Sequence, residues 1–204
     1  MDIGVKVMED SGQKIRLFFT PKTDALIDNY ITKRKSLNKT DNSGQAFEEL
    51  LQSILEIERK ALPEEREGQV KDIDGFFQTA EGFMVYTEIK YNDDHDTGKF
   101  ADINRKFIKT WAGLAVRHQI QSTAQLLPIL YYFNSKQRYK LIYMSSESIL
   151  RGPQLFDRYL HIKYEDVVSY LAEIGDDPEI LAIFDKMYNS VRNPKPEQGN
   201  LFSK

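Results

Sequence analysis

The sequence predicts an α/β domain with a mixed central β-sheet flanked by helices. Short segments rich in β-branched and aromatic residues alternate with longer segments in which apolar residues recur at helical spacing. The chain has 204 residues, enough for one domain with a sizeable core. We therefore expect a single domain over residues 1–192, with its core at about 44–145, a helical C-terminal part at about 147–192 and a flexible tail at 193–204.

The chain begins with two predicted strands followed by a helix. Ile3 to Met8 and Lys14 to Phe19 are typical strands, and the polar residues between them predict a hairpin at the edge of the sheet. Pro21 suits the first turn of a helix, and Thr23 to Lys33 carries apolar residues at helical spacing.

A second helix is predicted over Gln45 to Ala61, ending before Pro63. Glu48 borders its apolar stripe, and Glu58 lies nearer the middle of that stripe. Either carboxylate could face the interior of the domain. Local ion pairs on the helix surface explain both residues equally well.

The central segment predicts a second hairpin. Asp72 to Phe77 and Met84 to Lys90 are typical strands, and Gln78 to Gly82 supplies the turn between them. Because side chains on a strand alternate between its two faces, Glu88 and Lys90 point the same way.

This hairpin would form an acidic pocket containing one ammonium group. It brings Asp72 or Asp74 beside Glu88 and Lys90. Mg²⁺ prefers one or two carboxylates and keeps several waters, which suits metal-assisted hydrolysis of a phosphodiester. The alternative is a surface ion pair between Glu88 and Lys90, since Glu-x-Lys alone is a common pattern.

The next segments predict a helix, two strands and further helices. Lys99 to Arg117 is amphipathic, and Leu126 to Phe133 and Tyr139 to Met144 are apolar enough to be central strands. Ser145 to Pro153 is predicted to be a loop or a short helix, and Glu165 to Val191 is helical with one break. The cationic and amide side chains that could contact DNA phosphates, or that simply form solvated surface, are Lys99, Asn104, Arg105, Lys106, Lys109 and Arg138.

Composition excludes several classes of function. The absence of cysteine excludes thiolate nucleophiles and cysteine-bound zinc, and three scattered histidines disfavour a histidine-based metal site. A net charge of −3 weighs only mildly against a protein that binds nucleic acid. No apolar run is long enough to span a bilayer, and no signal pattern is present, so we expect a soluble cytoplasmic protein without a membrane partner.

An aspartate followed, about a dozen residues later, by Glu-x-Lys on an adjoining strand, with an acidic helix before both, resembles the PD-(D/E)xK nuclease superfamily. The resemblance is strongest over residues 44–117 and is greatest to type II restriction endonucleases. It departs from the motif in lacking a proline before the aspartate, so this part of the motif does not choose between Asp72 and Asp74. The superfamily's usual spacing favours Asp74.

The resemblance implies a restriction-endonuclease-like core and a set of catalytic roles. Asp74, Glu88 and the backbone carbonyl of Ile89 would hold Mg²⁺, and Lys90 would assist the attacking water. Glu48 would complete the site, with Glu58 as its competitor.

The leading hypothesis is a Mg²⁺-dependent endonuclease that cuts double-stranded DNA at a specific sequence as a homodimer. The alternatives are a structure-selective repair or recombination nuclease with the same fold, and a non-catalytic DNA-binding or interaction module. Separately, Gln198 to Phe202 resembles the short peptide by which bacterial enzymes dock on the sliding clamp, which is a motif hypothesis only.

Overall fold

The computed structural model describes residues 5–37, 43–93, 97–135 and 143–175, together with residues 177, 178 and 182. Short 3₁₀ helices lie at Pro63–Glu65, Thr123–Gln125 and Ser146–Ser148. The strands are β1 (Lys6–Val7), β2 (Lys14–Phe19), β3 (Glu67–Asp72), β4 (Gly75–Gln78), β5 (Met84–Lys90), β6 (Leu126–Tyr132) and β7 (Ile149–Arg151). The helices are α1 (Pro21–Leu37), α2 (Ser43–Lys60), α3 (Thr97–Arg117), α4 (Gln154–Tyr159) and α5 (Tyr164–Gly175).

Five strands form a mixed sheet in the order β1-β4-β5-β6-β7. The β1–β4 and β4–β5 pairs are antiparallel, whereas β5–β6 and β6–β7 are parallel. Strands β2 and β3 form a separate antiparallel pair. The mixed sheet with flanking helices confirms the predicted fold class.

Helix α3 packs against the sheet and supplies much of the core. Its apolar residues recur at helical spacing, so one face is apolar, and Phe107 and Trp111 on that face are completely buried. The indole N–H of Trp111 donates a hydrogen bond of 2.9 Å to the backbone oxygen of Leu126. The ring of Tyr86 stacks on Phe107 at a centroid distance of 5.3 Å. These contacts fix α3 against β5 and β6.

The predicted hairpin between the first two strands is wrong. Strand β1 pairs with β4 and β2 pairs with β3, so the two strands lie in different sheets. The segment between them is anchored elsewhere: Asp10 accepts a 2.8 Å hydrogen bond from Arg117 of α3. The backbone N–H of Gly12 also donates to the oxygen of Ile73 at 2.8 Å. These contacts hold the segment between β1 and β2 in place where the chain passes from one sheet to the other.

The predicted strand from Asp72 to Phe77 is interrupted. Strand β3 ends at Asp72 and β4 begins at Gly75. Only β4 forms the predicted hairpin with β5. The break leaves Asp74 between the two sheets, immediately before β4.

The strand that pairs with β6 on the side away from β5 also differs from the prediction. It is β7 (Ile149–Arg151), from a segment predicted to be a loop or a short helix. Most of the strand predicted over Tyr139 to Met144 lies outside the described residues, and its last two residues, Tyr143 and Met144, are buried but not in a strand. Arg138 and the segment Gln198 to Phe202 also lie outside the described residues.

The chain divides into two compact units, Met1–His161 and Ile162–Lys204. The first contains both sheets and helices α1 to α4. In the second, α5 exposes Tyr170 and Leu171. None of the helices in the described ranges combines the length and apolarity that a membrane crossing requires.

Candidate active site

The candidate site forms where the break before β4 meets the end of β5. Gly75 pairs with Thr87, so Asp74, one residue earlier, lies beside Glu88, one residue later. The Oδ2 atom of Asp74 accepts a hydrogen bond of 2.9 Å from the backbone N–H of Ile89. This bond fixes the aspartate against β5.

One ammonium group lies among the predicted ligand oxygens. The Nζ atom of Lys90 is 2.8 Å from Glu88 Oε1, 2.8 Å from the backbone oxygen of Ile89 and 3.4 Å from Asp74 Oδ2. Burial lowers the pKa of Lys90, but the hydrogen bond and charge of Glu88, helped by Asp74, outweigh burial and raise it. The side chain is therefore a cation at neutral pH.

The oxygens around this ammonium also fit a Mg²⁺ ion. They converge on a single cationic group, and two carboxylates with one carbonyl are a typical protein contribution to a Mg²⁺ site that keeps several waters. Among the described residues, no cluster of three or more His, Cys, Asp or Glu side chains could hold a metal. The oxygens that converge on the Lys90 ammonium are those of Asp74, Glu88 and the Ile89 carbonyl.

The carboxylate of Glu88 is completely buried, with 0% of its side chain exposed. Its Oε2 atom accepts a 2.9 Å hydrogen bond from the Tyr86 hydroxyl. Its Oε1 atom accepts a 3.1 Å bond from Lys106 in addition to the bond from Lys90. Burial and then the charge of Glu88 raise the pKa of Tyr86 well above its usual range, so this hydroxyl remains a donor.

Sequence reasoning missed Tyr86 and the contact between Lys106 and Glu88. Strand alternation places Tyr86 on the same face as Glu88, and that signal could have identified it. No local pattern indicates the Lys106 contact, because it joins residues on β5 and α3 that are distant in sequence.

Gly75 allows the two strands to approach at this point. A Cβ atom at position 75 would lie 2.2 Å from the Oγ1 atom of Thr87. Because Thr87 is itself buried, its side chain has little room to move away. The absence of a side chain at position 75 therefore helps to hold Asp74 next to Glu88.

The structure separates the two candidate aspartates. Asp72 is exposed at the end of β3 and pairs with Lys14 in the two-stranded sheet. Asp74 instead contacts Ile89 and Lys90. The geometry therefore favours Asp74.

Glu48 does not lie at the site, which corrects the expectation that it completes the site. Its carboxylate accepts a 2.6 Å hydrogen bond from the Thr123 hydroxyl, just before β6. Strands β5 and β6 are parallel, and the first residue of β6, Leu126, pairs with Met84 at the start of β5. Thr123 and Glu48 therefore lie towards the opposite end of β5 from Glu88.

The competing residue Glu58 also has another role. It is 5% exposed and accepts hydrogen bonds from the backbone N–H and hydroxyl of Thr20 at 2.8 and 2.9 Å. It also accepts a 2.6 Å bond from the Thr23 hydroxyl and a 3.1 Å bond from Arg66. These contacts tie the end of β2 and the start of α1 to α2.

Several side chains of α3 that were predicted to contact phosphate instead form ion pairs or hydrogen bonds within the protein. Lys109 is 12% exposed and lies 2.9 Å from Asp24 and 3.0 Å from Asp28. Arg105 lies 3.0 Å from Asp28. Asn104 is 1% exposed and donates to a backbone oxygen of its own helix, so it is not available to DNA in this arrangement.

The other predicted DNA contacts have different surroundings. Lys99 is exposed, and Lys106 is 38% exposed beside Glu88. Lys71, which the sequence did not identify, is partly buried in the same region. Burial and then the charge of Lys109 lower the pKa of Lys71, with a further contribution from Lys106.

Comparison with known proteins decides the family. The model of the family described as type II restriction endonuclease, HinfI, matches residues 6–175 of this chain. The chain belongs to this family. The type II restriction enzyme HinfI of Haemophilus influenzae is 47% identical over 122 residues, which cover 59% of this chain and 45% of that enzyme.

The match therefore spans less than half the length of this relative. No solved structure gives a significant match to the chain. Membership in the HinfI family confirms the resemblance to type II restriction endonucleases that Asp74, Glu88 and Lys90 suggested.

Proposed function

We propose that this protein is a Mg²⁺-dependent endonuclease that hydrolyses double-stranded DNA at a specific sequence. Its main structural support is the convergence of Asp74 Oδ2, Glu88 Oε1 and the Ile89 carbonyl on one cationic group, at 2.8 to 3.4 Å. Membership in the HinfI family favours a type II restriction enzyme over other nucleases.

The residues of the site would have separate tasks. Asp74, Glu88 and the carbonyl of Ile89 would hold Mg²⁺, which when bound stabilises charge on the scissile phosphate and activates water for attack. The Lys90 ammonium would leave these oxygens and donate hydrogen bonds to the attacking water and to the phosphate oxygen on which negative charge develops. Tyr86 would keep the Glu88 carboxylate in one orientation through its 2.9 Å hydrogen bond.

The proposed substrate predicts the assembly and location of the protein. Two copies related by two-fold symmetry would match a two-fold symmetric DNA site, so we propose a homodimer. Phosphate contacts would come from Lys99 and Arg138 rather than from Lys109, whose ammonium lies between two carboxylates. A cytoplasmic location fits a DNA substrate.

Two other functions share part of this geometry. A structure-selective repair or recombination nuclease would use the same catalytic residues, but the family match favours sequence-specific cleavage. A non-catalytic module would need only the ion pair between Glu88 and Lys90, and their 2.8 Å contact fits that role. Cleavage separates these functions directly.

A plasmid digest tests the proposal. The purified protein, incubated with plasmid DNA and Mg²⁺, is expected to give discrete fragments whose sequenced ends share one motif. Branch-dependent cuts would indicate the structure-selective nuclease. Binding without cleavage in both Mg²⁺ and Mn²⁺ would support the non-catalytic module, and chelation of the metal is the matched control.

A further inference from the structure

We propose that Lys106 is a second lysine of the candidate active site. It would act as a positioning residue that holds the Glu88 carboxylate when the ammonium of Lys90 moves to the reacting water. The purpose of that movement rests on the proposed nuclease function. The compensation of the Glu88 charge by Lys106 does not depend on it.

The burial of Glu88 requires that its charge stay compensated. Its side chain is 0% exposed, and an ionised carboxylate removed from water is strongly destabilising unless it is paired and hydrogen-bonded. The Tyr86 hydroxyl donates a hydrogen bond to the Oε2 atom of Glu88 but carries no positive charge. Among the described residues, the cations in hydrogen-bond contact with Glu88 are Lys90 and Lys106, both at Oε1, and Lys71 lies close enough to interact with its charge.

Lys90 cannot keep its present contacts and also assist catalysis. Its ammonium has three hydrogen atoms, and these already serve Glu88, Asp74 and the Ile89 carbonyl. To donate to water or phosphate it must give up at least one of these acceptors. Lys106, 3.1 Å from the same Glu88 oxygen, keeps that oxygen hydrogen-bonded to a cation after Lys90 leaves, both before Mg²⁺ binds and beside a bound Mg²⁺.

Helix α3 fixes Lys106 in a suitable place. The next residue, Phe107, is completely buried and stacks on the Tyr86 ring. The backbone of Lys106 accepts a 2.9 Å hydrogen bond from Thr110. Tyr86 and Lys106 therefore reach the two oxygens of Glu88 from positions held by the stack of Tyr86 on Phe107, a contact in which the Lys90 side chain takes no part.

A double-mutant cycle measures the shared role of the two lysines. The variants are Lys90→Met, Lys106→Met and the double variant, each also made in a Glu88→Gln background, with thermal unfolding followed in chelator. Each single change is expected to lower the unfolding midpoint slightly, because the other ammonium remains. The double change is expected to lower the midpoint by more than the sum, and Glu88→Gln is expected to abolish that excess.

Additive losses, or an excess that persists with Glu88→Gln, would overturn the proposal. Lys22→Met, on an exposed lysine of α1, controls for the removal of a positive charge. If Lys106→Met does not fold, Lys106→Gln gives the same comparison, since glutamine keeps a long side chain without the charge.

Cleavage kinetics distinguish a positioning residue from a DNA contact. Lys106→Met is expected to lower the rate at saturating DNA by about tenfold or more with little change in KM, and Lys106→Arg is expected to restore most of that rate. A variant that cleaves like the wild type, or that changes KM alone, would overturn the positioning role while leaving the nuclease function intact. If the wild type does not cleave DNA, the proposed function fails, and the unfolding cycle still decides whether Lys106 compensates Glu88.

Discussion

Replacing Tyr86 with phenylalanine removes one hydroxyl from the candidate site and leaves the aromatic packing in place. That hydroxyl donates the 2.9 Å hydrogen bond to Oε2 of Glu88, while the ring stacks on Phe107. A hydrogen bond to a charged group contributes roughly 1.5–3 kcal/mol. Because Glu88 is completely buried, water cannot readily replace the lost donor. We expect the variant to be less stable by about that amount.

The same change tests whether this hydrogen bond prepares Glu88 for metal binding. Since 1.4 kcal/mol corresponds to a tenfold change in an equilibrium constant, the Mg²⁺ concentration for half-maximal cleavage is expected to rise, with an upper bound of about 100-fold if the whole hydrogen-bond energy is expressed in metal affinity. Urea unfolding without metal and a Mg²⁺ titration of the cleavage rate measure the two effects. Tyr91→Phe, at an exposed position, is the matched control. Unchanged stability and unchanged Mg²⁺ dependence in Tyr86→Phe would refute this reasoning.

Three other changes test the packing around the site. Glu58→Ala leaves buried donors without an acceptor and should lower the free energy of unfolding by about 3–5 kcal/mol in urea. Gly75→Ala should abolish plasmid cleavage, because its Cβ would lie 2.2 Å from the Thr87 hydroxyl, and Thr87→Gly should partly restore it. Burial raises the pKa of Asp10, but hydrogen bonds from Arg117 and His118 outweigh burial and hold it below its usual range. The contacts of Asp10 with Arg117 and His118 should therefore stabilise the fold above about pH 4 and lose this effect as pH falls through the lowered pKa of Asp10. The difference in melting temperature between Asp10→Asn and wild type should accordingly shrink in acid.

Each of these three predictions has an outcome that would contradict it. A Glu58→Ala protein as stable as the wild type would mean that its hydrogen bonds contribute nothing net. Full cleavage by Gly75→Ala would show that β4 can shift without disturbing Asp74. A melting-temperature difference for Asp10→Asn that is independent of pH would remove the assigned role of its ionised carboxylate.

The sequence was most informative where the geometry is local. Alternation along one strand places Glu88 and Lys90 on one face, and a short hairpin brings Asp74 to them. These constraints involve neighbouring residues and one turn, so a single sequence contains them. Helices α1, α2, α3 and α5 follow from apolar spacing in the same way, whereas α4 was not predicted.

Contacts between distant elements could not be predicted in this way. The helical position of Glu48 indicated that it could face inward, but not that it would meet Thr123 at the other end of β5. The turn-like residues around Asp10 suggested a hairpin, whereas their contact with Arg117 depends on the packing of α3. The contact between Lys106 and Glu88 likewise exists only once α3 has packed on the sheet.

Single-turnover cleavage by site variants tests the central claim most directly. Asp74→Asn, Glu88→Gln and Lys90→Met are each compared with wild type on the same plasmid in Mg²⁺, with Asp72→Asn as the matched control on the neighbouring exposed aspartate. The proposed site predicts that the first three variants bind DNA but cleave at least about a thousandfold more slowly, and that Asp72→Asn cleaves like the wild type. Wild-type cleavage by Asp74→Asn and Lys90→Met would contradict it.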